Sequence, residues 1–293
     1  MERRLFLFLA SFLFTHCGTP QTNESIFEKG VAVGVNKNKR LEEASGLAAS
    51  SRNPGHFWSH NDGGHPAEIF LMDERAVTRR VFTLSTIVNR DWEDIARGPG
   101  PEENTSYLYV GDIGDNLSRY PLKYIYRLKE PSLEQPEEIT EVDTLVIKLE
   151  VGALDTEALL CDPISKNLYL ISKREKSVRV FEIAYPLTDD TLVAKNVCTI
   201  PVKNITGGDV SPDGNEVLLK NYEKIYYWRK IGNETLVDLL KTPPTELPYD
   251  REQQGEGISW AYDGSGFYTL GENAKGERAK LLFYKRKQQK TNP

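Results

Sequence analysis

Cysteine is scarce in this sequence, and its scarcity excludes a fold held together by disulfides. The 293 residues include three cysteines, Cys17, Cys161 and Cys198. Cys17 directly follows an N-terminal apolar segment, which leaves two cysteines for the rest of the chain, and two do not make a disulfide framework. Both lie in apolar runs typical of strands. We therefore predict two buried free thiols that behave as small hydrophobic side chains, with a single bridge as the alternative.

An excess of positive charge is also lacking. The 37 lysines and arginines are outnumbered by 43 acidic residues, for a formal net charge of -6. Nucleic-acid backbones bind to concentrated basic faces, and here the basic residues are interspersed with acidic ones, so we exclude a nucleic acid as partner. With 39% hydrophobic and 27% charged residues, the composition is that of a globular protein rather than of a disordered chain or a protein with several membrane spans.

Familiar motifs of catalysis are absent as well. The sequence has no G-x-S-x-G element, no phosphate-binding P-loop, no H-E-x-x-H zinc motif and no Cys/His pair suited to nucleophilic catalysis. No segment after the first sixteen residues has a convincing amphipathic-helix pattern either. The fold and the function therefore have to be inferred from strand patterns and from the placement of polar residues.

The first residues follow the plan of an export signal. Two arginines precede an apolar run over residues 5–14 that is too short to span a bilayer, and Cys17 follows. This plan resembles a bacterial lipoprotein signal, in which the cysteine becomes the acylated N-terminus. We predict a signal peptide over residues 1–16, a flexible tether over 17–29, and an extracytoplasmic protein that is lipid-anchored to a bacterial membrane, with the outer membrane or cell surface favoured. Plain secretion and an uncleaved anchor are the alternatives.

The rest of the chain repeats itself. Five stretches share a plan in which a small or acidic pair and an aliphatic residue begin an apolar strand, a turn rich in Pro, Asp, Asn and Gly follows, and a second strand ends in polar residues. The aliphatic residues are Leu47, Ile95, Leu159, Val210 and Ile258. Their successive separations are 48, 64, 51 and 48 residues, and a period of roughly fifty with strand content is typical of propeller blades.

A third strand follows in every repeat, but the last repeat stops there, while an unassigned strand-like segment, "GVAVGVN", precedes the first. In a ring, that N-terminal segment can complete the last blade and remove its open edge. We therefore predict an all-β fold, a single β-propeller over residues 30–287 with five blades, followed by a C-terminal tail over 288–293. Six blades is the alternative. The Pro- and Glu-rich stretch at residues 130–143 is interpreted as a loop.

The polar residues of the repeat concentrate at the start of the innermost strand and at the end of the second strand. Because the second strand runs back beside the first, both places lie at the same face of a propeller. We predict that they form a funnel face that binds a ligand. The predicted funnel residues are Asn61, Asp62, Glu93, Asp94, Glu157, Lys173, Arg174, Asp209, Lys220, Glu256 and Glu272.

Several carboxylates near the axis would repel one another unless their charge is compensated. A hard cation such as Ca²⁺ is one solution, because it binds about six to eight oxygens from carboxylates, amides and waters. The predicted metal ligands are Glu93, Asp94, Asp112, Asp115, Asn116, Glu157 and Glu256. Salt bridges to Lys173, Arg174 and Lys220 are a second solution. In a third, the acids accept hydrogen bonds from backbone N–H groups of a neighbouring blade.

Taken as a set, the stretches "ASGLAAS", "DWEDIA", "DTEALLCDP" and "QQGEGISW" resemble a family of exported bacterial β-propeller proteins. More distantly, the plan looks like calcium-dependent propeller hydrolases of the gluconolactonase and phytase types, which place acidic and amide side chains around a central Ca²⁺. The resemblance implies a propeller outside the cytoplasm. It matches Glu93, Glu157 and Glu256 to such a ring, and it assigns no catalytic residue.

Two functions remain in competition. The favoured one is a monomeric, membrane-tethered binding propeller that presents its funnel face to a glycan, a peptide, a protein or a small anionic ligand. The alternative is a Ca²⁺-dependent hydrolase of phosphoesters or lactones, in which the cation polarises an oxygen of the substrate and a carboxylate acts as base or nucleophile.

Overall fold

The structure is a computed structural model that describes residues 25–273 and 276–288. Within these residues the chain forms β-strands and one short helix, α1 (Leu236–Leu240), so the predicted all-β class is confirmed. In chain order the strands are β1 (Val31–Val35), β2 (Ala44–Ala49), β3 (His56–Asn61), β4 (Glu68–Asp73), β5 (Thr78–Leu84), β6 (Trp92–Pro99), β7 (Ser106–Asp112), β8 (Lys123–Lys129), β9 (Glu138–Ile139), β10 (Asp143–Leu149), β11 (Thr156–Cys161), β12 (Leu168–Ser172), β13 (Val178–Ile183), β14 (Leu192–Ile200), β15 (Ile205–Val210), β16 (Glu216–Asn221), β17 (Ile225–Arg229), β18 (Thr245–Leu247), β19 (Gly255–Trp260), β20 (Gly266–Gly271) and β21 (Lys280–Lys285).

The strands are arranged in antiparallel units of four. The units are β2-β3-β4-β5, β6-β7-β8-β10, β11-β12-β13-β14, β15-β16-β17-β18 and β19-β20-β21-β1. Parallel pairing of β10 with β14 joins the second and third units into one eight-stranded sheet, and β9 extends the first unit by pairing in parallel with β5. Because two units share a continuous sheet, the sheets do not divide the chain into five separate blades.

The innermost strands of the units form a ring. β2 contacts β6, β6 contacts β11, β11 contacts β15, β15 contacts β19, and β19 returns to β2. Apolar side chains fill the space between neighbouring units, as where Ile125 of β8 and Phe181 of β13 belong to one buried cluster. Burial of each such side chain stabilises the fold by about 1.5–3 kcal/mol. Antiparallel units repeated around an axis are the arrangement of a β-propeller.

The N-terminal strand closes this ring, as the sequence predicted. β1 pairs antiparallel with β21, with Val31 opposite Phe283. The contact begins even earlier, because Phe27 forms a bridge with Arg286 and is buried. The packed part of the chain therefore begins before residue 30, so residues 25–29 do not belong to the flexible tether that was predicted from the sequence. The physical reason is that Phe27 finds an apolar pocket formed by aromatic rings of the last two units.

Each innermost strand has a bulge near its start. The pairing register shifts directly after the first residue of β2, β6, β11, β15 and β19. A bulge of this kind re-aims the side chain of the unpaired residue. The second residues, which occupy the bulges, are Ser45, Glu93, Glu157, Thr206 and Glu256.

Other sequence-based predictions have mixed outcomes. Cys161 and Cys198 are free thiols, of which Cys161 is buried and Cys198 is only partly covered. The stretch 130–143, predicted as a loop, includes the two-residue strand β9 and the first residue of β10. Among the described residues, no helix has the length and apolar character needed to cross a membrane. The signal peptide, Cys17 and most of the tail lie outside the described residues.

Candidate functional site

Three of the bulge positions carry glutamates, and the structure brings them together at one face of the ring. Glu93, Glu157 and Glu256 are each 5% exposed or less. Ser45, at the bulge of β2, links two of them: its hydroxyl donates to the Glu256 carboxylate at 3.1 Å and also to the backbone carbonyl of Glu93. The bulge thus explains how a strand residue points towards its neighbours around the axis instead of into a sheet face.

Two groups of carboxylates meet at Glu93. The first contains Asp62, Asp91 and Glu93, and the second contains Glu93, Asp155 and Glu157. In each group one oxygen per residue lies within 4.8 Å of the oxygens of the other two. Asp62 follows the end of β3, whereas Asp91 and Asp155 each directly precede an innermost strand. Carboxylate oxygens gathered this closely are the ligands that hard divalent cations prefer.

Asp91 and Asp155 were not predicted as site residues, although the sequence contains a signal for both. Both belong to a D-x-E pattern, Asp91 with Glu93 and Asp155 with Glu157. The pattern places one acid just before the strand and the next at the bulge, so that both side chains reach the same face. The corresponding residues of the remaining units are also polar: Glu43, Asn204 and Gln254.

The two groups differ in how their charge is compensated. Asp155 forms an ion pair with Arg174 at 2.6 Å, and Glu157 forms one with Lys173 at 2.8 Å. Among the described residues, no lysine, arginine or histidine side chain forms an ion pair with Asp62, Asp91 or Glu93. The group around Asp62 therefore lacks a basic partner for its three carboxyls, of which Glu93 is buried and the other two are half-buried.

The pKa values of these carboxyls reflect that environment. Burial, followed by repulsion from Glu157, Asp62 and Glu256, raises the pKa of Glu93 well above its usual range. Burial also raises the pKa of Asp62 to about 6 and that of Asp91 above its ordinary value. Concentrated buried carboxylates disfavour their own ionisation, and a bound cation reverses this preference.

Lys173 connects the acidic groups to Glu256. Its ammonium, paired with Glu157, also donates to the hydroxyl of Tyr222 at 3.3 Å, and that hydroxyl donates to the Glu256 carboxylate at 2.6 Å. Burial lowers the pKa of Lys173, but the carboxylates of Glu157 and Glu256 outweigh it and keep that pKa above its ordinary value. Tyr222 was not predicted, although it follows directly on the polar end of β16.

Two predicted funnel acids, Asp94 and Asp209, have a different role. The carboxylate of Asp94 accepts hydrogen bonds from the backbone N–H groups of Ile95 and Leu159, both at 2.9 Å. The carboxylate of Asp209 accepts from the backbone N–H of Trp260 at 2.8 Å. Each acid thus binds the innermost strand of the following unit. This is the alternative in which the acids accept hydrogen bonds from backbone N–H groups of a neighbouring blade. The structure places neither in the two carboxylate groups.

Asp209 was also misaligned with the acids of the other repeats. The pairing of β15 with β16 places Thr206 at the bulge, where Glu93 and Glu256 stand in their units, and Asp209 three residues further on. Gly208, not Val210, is therefore the residue equivalent to Ile95. The sequence "TGGDV" contains an acidic residue followed by an aliphatic one, and this pair is similar to the start of the other repeats.

Glu256, a predicted metal ligand, belongs to neither group, and its carboxylate accepts hydrogen bonds from Ser45 and Tyr222. The other three predicted metal ligands also lie outside the two groups. Asp112 forms an ion pair with Arg90 at 2.9 Å, and Asp115 accepts hydrogen bonds from the backbone of the loop that follows it. The side-chain oxygen of Asn116 accepts a hydrogen bond from Arg174. These contacts satisfy the three side chains locally, so the structure gives no support to them as ligands of a shared cation.

The last three predicted funnel residues differ in how far their side chains are exposed to solvent: Asn61, Lys220 and Glu272. Asn61 is buried, and its side chain donates to the carbonyl of Arg40. The Lys220 ammonium is fully buried, 3.6 Å from the Glu252 carboxylate. Glu272 is partly exposed, and burial together with repulsion from Glu256 raises its pKa to about 8. Of these three side chains, only that of Glu272 is not buried.

The chain has similar solved structures but matches no family model and no curated sequence. A scan against models of protein families found no match, and a search of curated protein sequences found none either. Similar solved structures include an auxiliary nutrient binding protein from Bacteroides thetaiotaomicron, with 12% identity over 88% of this chain and 77% of that one and a TM-score of 0.49. Another is the β-propeller domain of Cps50 (Swd1) from Myceliophteria thermophila, with 9% identity over 86% of this chain and 99% of that one and a TM-score of 0.45.

Proposed function

We propose that this protein is a five-bladed, ligand-binding β-propeller whose funnel face holds a hard divalent cation, Ca²⁺, at Glu93. The observation that carries the proposal is the group formed by Asp62, Asp91 and Glu93, whose three carboxyls lie close together and form no ion pair with a described basic residue. The ring of five innermost strands supports the blade count, with β10 and β14 joining two blades at their outer edge.

We expect one cation and not two, because the second carboxylate group already has basic partners. Arg174 and Lys173 already pair with Asp155 and Glu157, so a cation near Asp62 would offset the charge of the group that has no basic partner. Ca²⁺ fits an all-oxygen donor set of this kind better than Zn²⁺, which prefers nitrogen and sulfur ligands. A small anionic ligand, or an anionic group of a glycan, peptide or protein, would then contact the cation and the neighbouring Lys173.

A thermal melt with and without cation tests the proposal. A ligand that binds only the native state raises the apparent stability, by about 2.7 kcal/mol at a concentration of 100 times Kd. For a chain of this size we expect Ca²⁺ to raise the Tm by about 5–10 °C relative to protein in a chelator. Glu93→Gln should abolish the shift, because it removes the carboxylate shared by both groups.

Glu223→Gln is the matched control, because Glu223 is an exposed acid in the turn after β16. It should keep the full Ca²⁺ shift. A wild-type protein whose Tm is the same in Ca²⁺ and in chelator would contradict the proposal, and so would a Glu93→Gln variant that retains the shift.

The hydrolase alternative has one specific observation in its favour. Glu272 has a pKa of about 8, so its carboxyl is protonated at neutral pH and is able to act as a general acid. The test is to assay the wild-type protein on a panel of phosphoesters and lactones. Activity that is lost in Glu272→Gln, while the Ca²⁺-dependent Tm shift is kept, would establish the hydrolase. If none of these substrates is hydrolysed, the hydrolase is contradicted and the binding function stands.

We also propose that a lipid on Cys17 tethers the propeller to a bacterial membrane, with the outer membrane or cell surface favoured. The proposal depends on the apolar run and the cysteine that follows it. Incorporation of a labelled fatty acid that is lost in Cys17→Ser would support the anchor, whereas labelling that persists in the variant would contradict it.

A further inference from the structure

A groove of about 670 Å³ lies between the end of β1 and the hairpin of β4 and β5. None of its lining residues belongs to the two carboxylate groups of the funnel. Five basic side chains line it: Lys37, Arg40, Arg75, Arg79 and Arg80. This concentration of positive charge stands out on a chain whose formal net charge is -6.

The acids at the groove do not balance its basic residues. Arg40 pairs with Glu68 and Arg80 pairs with Glu137. The Asp73 carboxylate forms ion pairs with two guanidinium groups, that of Arg79 at 2.5 Å and that of Arg75 at 3.7 Å. Five basic residues thus face three carboxylates, which leaves an excess of two positive charges.

Two of the basic side chains are available to a ligand. The Lys37 ammonium lines the groove and forms no ion pair or hydrogen bond with another described residue. The Arg75 side chain is 73% exposed and keeps only the long contact with Asp73. The guanidinium groups of Arg79 and Arg80 are already held, by Asp73 and by the backbone carbonyls of residues 133 and 135, so they add positive charge to the groove in fixed positions.

The groove also has an apolar side. Val35, Val77 and Val81 line it beside the basic residues, and Val77 is 44% exposed. Its volume lies within the range of about 300–1,000 Å³ that is usual for small-molecule sites. Guanidinium groups bind phosphate and carboxylate oxygens in a bidentate manner, which gives geometric specificity as well as charge.

We propose that this groove binds a small amphipathic organic anion, with its phosphate group at Lys37 and Arg75 and its apolar part against the three valines. The site is independent of the cation site in the funnel. A phosphate monoester with a short alkyl chain combines both features of the groove in one molecule.

Isothermal titration with hexyl phosphate tests the proposal. We expect saturable binding to the wild-type protein that weakens with added salt, because charge attraction carries part of it. Lys37→Gln combined with Arg75→Gln should weaken the affinity at least about 10-fold by removing the two available charges. The matched control, Lys176→Gln combined with Lys195→Gln, removes two exposed positive charges elsewhere and should bind as the wild type does.

Further binding experiments distinguish a lipid headgroup from a free phosphate ester as the natural ligand of the groove. Inorganic phosphate should bind more weakly than hexyl phosphate, and Glu93→Gln should leave the affinity for hexyl phosphate unchanged. Co-sedimentation with phosphatidylglycerol vesicles, lost in the Lys37/Arg75 double variant, would identify the anion as a lipid headgroup; hexyl phosphate binding without vesicle binding would identify a free ligand. No binding of hexyl phosphate, or equal losses in the double variant and its control, would overturn the proposal.

Discussion

Among single residues, the most unusual feature of this protein is a set of buried and half-buried carboxyl groups whose charged forms are disfavoured. Asp62 has a pKa of about 6 and Glu272 one of about 8, and the pKa of Glu93 is also raised. In each case burial is the largest cause and neighbouring carboxylates add to it. A folded state with raised carboxyl pKa values binds protons more tightly than the unfolded chain does.

The stability of the cation-free protein should therefore fall as the pH rises. The contribution of these carboxyls is complete below their unfolded pKa values, near about 4, and is lost as the pH passes through the folded values of about 6 for Asp62 and about 8 for Glu272. We expect the Tm in chelator to decrease between about pH 5 and pH 9. Differential scanning calorimetry across this range provides the measurement.

Glu272→Gln should flatten the upper part of that curve, and Glu223→Gln should leave it as in the wild type. If the Tm in chelator stays constant or increases over this range, the carboxyl pKa values of the folded protein in solution are not raised. Saturating Ca²⁺ should reduce the loss of stability at high pH, because the cation stabilises the ionised carboxylates.

At the scale of secondary-structure elements, the connection between β8 and β10 does more than span two strands. Glu130, buried at its start, accepts hydrogen bonds from the indole of Trp58 at 2.9 Å and from the backbone N–H of Ser51 at 3.1 Å. The hydroxyls of Ser50 and Ser51 also donate to it. The stretch that the sequence predicted as a loop thus joins the first unit to the second.

Glu130→Ala should lower the free energy of unfolding by about 2–4 kcal/mol, because it leaves several buried donors without an acceptor. Urea denaturation provides the measurement. Glu134→Ala, an exposed acid of the same connection, is the control and should change the stability by less than about 0.5 kcal/mol. Equal stabilities of the two variants would show that the connection does not hold the units together.

At the scale of the whole molecule, closure of the ring depends on the N-terminal segment. Phe27 lies 5.0 Å from the ring of Phe267 and 5.8 Å from that of Tyr227, so it contacts the last two units together. The guanidinium of Arg286 lies over its other side, 4.9 Å from the ring centre. The segment before β1 thereby adds an apolar anchor to the strand pairing.

Phe27→Ala should destabilise the protein by about 3–5 kcal/mol, the usual cost of emptying a buried aromatic site. Ile26→Ala changes the neighbouring residue, which is 36% exposed, and should cost less than about 1 kcal/mol. Chemical denaturation of both variants provides the comparison. Closely similar losses would indicate that strand pairing alone, without the Phe27 anchor, closes the ring.

The strand content, the repeat and the closing strand could be predicted from local sequence patterns, because alternation and turn residues act over short distances. The same patterns also located Glu93, Glu157 and Glu256, since each stands at the start of a repeat. Even the missed Asp91 and Asp155 were marked by the D-x-E pattern.

Which acids meet and which are neutralised could not be predicted from local patterns and follows from the packing of the strands around the ring. The register of β15 with β16 placed Thr206 at the bulge and turned Asp209 towards the next unit. Lys173 and Arg174 compensate Glu157 and Asp155, and Glu93 is left without a basic partner among the described residues. Charge compensation depends on distances of a few ångströms between side chains from different strands and loops, and those distances are fixed by packing around the ring rather than by local pattern.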